Sequence, residues 1–442
     1  MFDMIIKNGT CMTPSGAIKA DIGIAGDTIM KIGEIDAKDS QTIIDAKGLH
    51  VLPGVMDTQV HFREPGNEHK EDLEHGTRGA VLGGVTSIFE MPNTAPPTTS
   101  KEALNDKIDR MKDRAWCDFA FYVGGTPEDN VNWHELESLP GCCGIKIFMG
   151  SSTGNLIVSQ DHAIEAILTQ SKRRVAVHCE DEEMLKARKH IAEEGAHPRF
   201  HPQWRNEDTA LNATRRLLNI ARKVGKNVHT LHITTCQEVE LLAKYKDVAT
   251  MEVLPQHLTL DDSAYESQGS YVQMNPPIRS IEHQNALWIA INNGLVDILG
   301  SDHAPHTHQE KAQTYPKSPS GMPGVQTLVP IMLDHVNNSK LTLERFVDLV
   351  CHGPQRVFNI ARKGRIAVGY DADFTIVDMN KEKTISDDQM ANVSGWTPFH
   401  GKKVKGWPTH TIIRGKVVME NDKLVSKPIG QTIKFQDTLT PR

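Results

Sequence analysis

Short apolar runs alternate with amphipathic stretches along most of this chain. Eight runs read as β-strands: GVMDTQVHF, VTSIFEMPN, DFAFYVGG, GIKIFM, VAVHCED, VHTLHIT, ATMEVLPQ and LVDILGSDHAP. Between most of them apolar residues recur at helical spacing, as over 100–114, 159–172, 209–224, 236–245 and 280–294. Strands alternating with helices over ~300 residues predict a (β/α)8 TIM barrel in the α/β class. A doubly wound sheet is the structural alternative, but no glycine-rich phosphate loop follows any strand. The chain ends are patterned differently. MIIKNGTCM, IGIAGDTIMKIG and QTIIDAKGLHVL at the front, and ADFTIVDM and THTIIRGKVVME at the back, read as strands broken by turns such as Asn8-Gly9. Neither end alone makes a core. The expectation is one small β-sandwich side domain built from residues 1–52 and 361–442, flanking a barrel over 53–360.

Length and composition fit that picture. A chain of 442 residues accommodates one large domain and a smaller one. The net charge of −7, with no basic stripe, argues against a nucleic-acid partner. No apolar run reaches membrane-spanning length, and the start MFDMIIKNGT has no signal-peptide pattern. Seven cysteines without regular spacing or a C-x-x-C pair fit a reducing, cytoplasmic setting, and a vicinal Cys142-Cys143 disulfide is not expected.

Histidines and charges fall where the strands end. His61 and Arg63 close the first run, Asn93 the second, His178 and Glu180 the fifth, and His232 the sixth. Lys146 lies inside the fourth run, His257 follows the seventh, and Asp302, His303 and His306 follow the eighth. Singly, each has a plain reading: a hydrogen-bonded structural histidine, or a lysine snorkelling to water. Together they converge, because barrel chemistry sits at the C-terminal strand ends. Buried charges need partners or a metal, and histidine with carboxylate suits zinc. Gln59 and His61, two apart on a strand, share a face. A metal site would favour histidine at both.

These motifs, PGVMDTQVHFREPG, EMPNT, GIKIFMGSS, VHCED, LHITT, MNPPIR and SDHAPH, together resemble the amidohydrolase superfamily and, within it, the class I dihydroorotases. The likeness extends to GRIAVGYDADFTIVD and TPFHGKKVKG, so it covers nearly the whole chain. It implies zinc-dependent reversible hydrolysis of the cyclic amide of dihydroorotate to N-carbamoyl-L-aspartate, a step of de novo pyrimidine synthesis. It implies His61, Lys146, His178, His232 and Asp302 as metal ligands, with two zinc ions bridged by a carbamate on Lys146. Asp302 would also shuttle the proton. Arg63, Asn93 and His306 would hold the substrate carboxylate, Asn275 would contact the ring, and backbone near Pro323-Gly324 would line the substrate. The long loop 306–325 reads as a lid or substrate-contact segment.

The chain departs from the resemblance at Gln59, which stands where relatives carry the first histidine of Asp-x-His-x-His. Gln256 before His257 is a second, milder departure. Three readings follow from Gln59: a two-metal site with a weakened first ion, a site with one ion at Lys146, His178 and His232, or a non-catalytic partner of an aspartate carbamoyltransferase. Hydantoinase (dihydropyrimidinase) and allantoinase activities are the enzymatic alternatives. A small-molecule substrate is the expected partner, with no nucleic acid and no membrane, and a homo-oligomer is compatible with the chain.

Overall fold

The computed structural model describes residues 1–128, 131–151 and 156–439. Ser152, which closes GIKIFMGSS, and the last three residues of the C-terminal segment lie outside the described residues. Eight parallel strands form the barrel: β1 (Val55–Val60), β2 (Val85–Glu90), β3 (Asp118–Gly124), β4 (Cys142–Phe148), β5 (Val175–His178), β6 (Val228–Thr230), β7 (Ala249–Val253) and β8 (Ile298–Leu299). Each pairs with its sequence neighbour. The ring closes where His303 bridges Val60 and its carbonyl accepts a hydrogen bond from His61 N at 2.7 Å. All eight expected strands are present. They lack a clean polar face because helices cover the outside and side chains fill the inside. In β3 and β4 every residue is buried.

The helices follow their sequence signals. Glu207–Val224 has Asn206 as its N-cap, accepting from Thr209 N, and Gly225 at φ +67° as its stop. Its buried residues, among them Ala210, Ala213, Leu217 and Ala221, recur every three or four positions and pack on the barrel. Among the described residues no helix is long and apolar enough to cross a membrane. The seven cysteines are free, Cys142 and Cys143 included.

Both chain ends meet in the side domain. His50–Pro53 pairs antiparallel with Phe374–Thr384 inside one seven-stranded sheet, so the front and back of the chain share a ladder. A four-stranded sheet from the first 45 residues packs on it through Ile6, Ile22, Ile24, Val51, Phe374 and Ile412. The C-terminal segment also does something the sequence pattern does not announce. Phe119 N donates to Gln431 O (3.0 Å), and Ile433 N donates to Phe119 O (2.9 Å). Ile433 and Phe435 then join Phe89, Tyr122 and Phe358 in an apolar cluster. The stretch 429–438 therefore belongs physically to the barrel, so the 361–442 segment is not wholly side domain. Between the two parts lies a buried ion cluster. Lys363 Nζ contacts Asp118 of β3 (2.7 Å), Asp373 (2.5 Å) and Asp371 (3.3 Å), and Arg414 also bonds Asp118.

Candidate metal and substrate site

Strand ends gather the polar residues as expected, in two donor pairs. His178 ends β5, and its Nδ1 lies 3.1 Å from His232 Nε2 just beyond β6. The other ring nitrogen of His178 donates to Glu180 at 2.9 Å. Burial alone would raise the Glu180 carboxyl, but Arg205 and His178 outweigh it and hold it at about 2. A fixed carboxylate therefore keeps the proton on His178 Nε2 and leaves Nδ1 as a lone pair facing His232. That is the carboxylate–histidine arrangement that supports zinc.

The second pair is His61 with Asp302. His61 Nδ1 donates to Asn93 Oδ1 at 2.8 Å, so its lone-pair nitrogen, Nε2, faces Asp302 Oδ1 at 3.1 Å. A lone pair against a carboxylate needs a cation between them. Two donors on one tetrahedral zinc would sit about 3.3 Å apart. Both pairs approach that separation.

Lys146 completes the set. It is buried in β4, and its Nζ has no hydrogen-bond partner among the described residues. Burial pushes its ammonium down to about 7. Its charge is felt at His178 and His232, and Asp302 acts on it in turn, so it lies within electrostatic reach of both pairs. Among the described residues no three His, Cys, Asp or Glu side chains form a metal cluster by themselves. The orphaned Lys146 Nζ is consistent with a site built for a further group.

Gln59 reaches the His61–Asp302 pair through its amide nitrogen. Its Nε2 donates to Asp302 Oδ1 at 3.0 Å, the oxygen that His61 also faces, while its buried Oε1 has no partner. Gln256 donates to Ser301 O at 2.7 Å and braces the eighth strand end. Asp57, pushed up to about 7 by burial, accepts from Ser301 N at 3.0 Å and ties β1 to the same place.

Arg63 lies beside these pairs, buried, with its guanidinium lowered to about 10 by that burial. The sequence allowed an ion pair with Glu64 or Glu68. Instead Arg114 holds Glu64 at 2.9 Å, and Glu68 accepts from Gly66 N. Among the described residues no carboxylate makes an ion pair with Arg63. Its Nε donates to Pro305 O (3.2 Å), and its Nη2 lies 3.2 Å from His306 Nε2. Three of the site residues, Arg63, His232 and Asp302, have positive φ (61°, 38° and 44°), a strained conformation for non-glycine residues that clusters at functional sites. Asn275 Oδ1 accepts from His201 Nε2 at 2.9 Å. Gly324 lies against the end of the eighth strand. Its N–H donates to His303 Nδ1 (3.1 Å), and its C=O accepts from Thr327 and Leu328, so its backbone groups serve the barrel. A Cβ there would meet Ser301 O at 2.8 Å.

Sequence reasoning passed over the HKED segment after β1. Glu71 is fully buried, raised to about 8 by that burial, and 3.2 Å from His303 Nε2. Lys70 contacts His306 and Glu310. Arg205, which fixes Glu180, was missed too.

The barrel and the paired donors at its strand ends define a class, the metal-assisted barrel hydrolases. Residues 50–418 match the amidohydrolase family, and the chain belongs to it. Its curated relatives include the dihydroorotase of Pyrococcus furiosus, 34% identical with 97% of this chain and 96% of the relative covered. The dihydroorotase of Methanosarcina mazei is also 34% identical, with the same shares covered. Among solved structures, the L-hydantoinase (dihydropyrimidinase) of Arthrobacter aurescens superposes with a TM-score of 0.93 at 31% identity, covering 98% of this chain and all of that one. By sequence the chain sits among dihydroorotases, and by shape it also overlays a hydantoinase.

Proposed function

We propose that the protein is a dihydroorotase, interconverting dihydroorotate and N-carbamoyl-L-aspartate in pyrimidine synthesis. The observation that carries this reading is the buried Arg63 beside His306, a cationic fork with no carboxylate ion pair among the described residues. Guanidinium is the best-shaped partner for a carboxylate. Dihydroorotate carries one, and the rings of hydantoin and dihydrouracil do not. Several curated dihydroorotase relatives support the same reading.

His61, Lys146 as its carbamate, His178, His232 and Asp302 would hold zinc, and the chemistry that metal would supply is polarisation of the amide carbonyl and a more acidic water. The chain's own groups do the rest. Arg63, Asn93 and His306 hold the carboxylate and so place the amide against Asp302. Asn275, steadied by His201, meets the ring, and Pro323 and Gly324 form wall beside it. Asp302 takes the water's proton on its carboxylate and delivers it to the departing ring nitrogen. The hydrogen bond from Gln59 Nε2 holds that carboxylate in place. In this assignment Gln59 orients Asp302 rather than ligating, and the first ion keeps three protein ligands.

Exchanging Arg63→Met tests the substrate. The variant should lose about 1.5–3 kcal/mol of dihydroorotate binding, the value of a hydrogen bond to a charged group, seen as a raised KM. An unchanged KM would sink the assignment.

A further inference from the structure

His306 has one ring nitrogen that must accept and one that must donate. Lys70 Nζ lies 3.3 Å from His306 Nδ1. An ammonium only donates, so Nδ1 accepts. Ser320 O lies 3.0 Å from His306 Nε2. A carbonyl only accepts, so Nε2 carries the hydrogen. Lys70 is itself anchored by Glu310 at 2.9 Å, and Trp396 Nε1 pins the His306 carbonyl at 2.7 Å.

This tautomer matters because of Arg63. Its Nη2 is 3.2 Å from the same Nε2, so two N–H donors are held side by side. Donors cannot satisfy each other. The His306 hydrogen is already taken by Ser320 O, so it is the Arg63 Nη2 donor that calls for an anionic oxygen. Were the proton on Nδ1 instead, Nε2 would accept from Arg63 and the ring would cap the guanidinium. A substrate carboxylate would then have to displace it.

We propose that Lys70 is a positioning residue for substrate specificity: by donating to Nδ1 it keeps His306 a donor and keeps Arg63 open to a carboxylate. The role rests on the dihydroorotase reading above. It links the loop after β1 to the loop after β8, both of which contribute to the carboxylate site.

The test is a double-mutant cycle on the metal-replete full chain. Lys70→Met should raise KM for dihydroorotate, and weaken calorimetric binding of orotate, by about tenfold, one charge-assisted hydrogen bond's worth, with kcat changed far less. In a His306→Ala background Lys70→Met should add nothing. Lys70→Arg, which keeps a cationic donor beside Nδ1, should recover most of the loss. A loss that persists undiminished without His306, or an arginine no better than methionine, would overturn the role of Lys70 while leaving the substrate reading intact. A wild type that neither binds orotate nor hydrolyses dihydroorotate would overturn both.

Discussion

At Gln59 a neutral amide stands where an imidazole would bind metal more strongly. Its nitrogen already donates to Asp302, so the account gives it an orienting part. Gln59→His should then add a ligand to the first ion and tighten it by about tenfold or more, the scale of changes around metal ligands. Chelator competition on the purified protein measures this, and unchanged metal retention would place residue 59 away from the ion. The proposed ligands stand out in the sequence because each interrupts an apolar run: Lys146 within GIKIFM, His178 in VAVHCED, and Asp302 in LVDILGSDHAP. Burying such a side chain without a purpose is costly, so its presence is informative. Lys70, Glu71 and Arg205 were not legible. They lie in polar segments, where a charge is ordinary and its partner is far along the chain. The turn of Gln59 toward Asp302 was also beyond the sequence, since an amide reads the same as donor or acceptor.

The element that departs most from expectation is the loop after β8. Its Gly, Pro and Ser content over 306–325 reads as a lid or a substrate-contact segment, and the structure ties it down. Lys311 is fully buried and donates to the carbonyls of Gln273 (3.2 Å), Pro319 (2.9 Å) and Gly321 (2.9 Å). Thr307 and Glu310 form a capping box on the short helix His308–Lys311. That box was written in the sequence as Thr-His-Gln-Glu, and it is the signal that could have marked the loop as anchored. Burial works against the Glu310 carboxylate, but Lys70 and Thr307 outweigh it and hold it down to about 2. Its folded-state pKa thus lies below the unfolded value of about 4.3. The anchoring it adds is fully present above that unfolded value and is lost as pH falls through the folded one. Amide-exchange protection of 307–311 should therefore persist at mildly acidic pH and fade only as pH approaches about 2. Glu310→Gln should lower that protection at neutral pH, and equal protection in the variant would refute the anchor.

For the whole molecule, the eight-strand count and the pairing of the two chain ends followed from patterning, because buried parallel strands and half-buried terminal strands obey different periods. The return of Ile433 and Phe435 to the barrel did not, since two apolar residues in a polar tail carry no address. Barrel and side domain are joined by Lys363 among Asp118, Asp371 and Asp373. Lys363→Met would strand buried carboxylates and should cost about 3–5 kcal/mol of stability, as removing one partner of a buried pair does. Urea unfolding reads this, and a loss under about 1 kcal/mol, the level of an exposed pair, would mean the cluster is hydrated. The central claim is that a hydantoinase-like barrel has been set to a carboxylate-bearing ring by Arg63 and His306. The most direct measurement is kcat/KM of the zinc-replete protein for dihydroorotate and dihydrouracil side by side. A strong preference for dihydroorotate is expected, and equal or better turnover of dihydrouracil would overturn the role of Arg63 and His306.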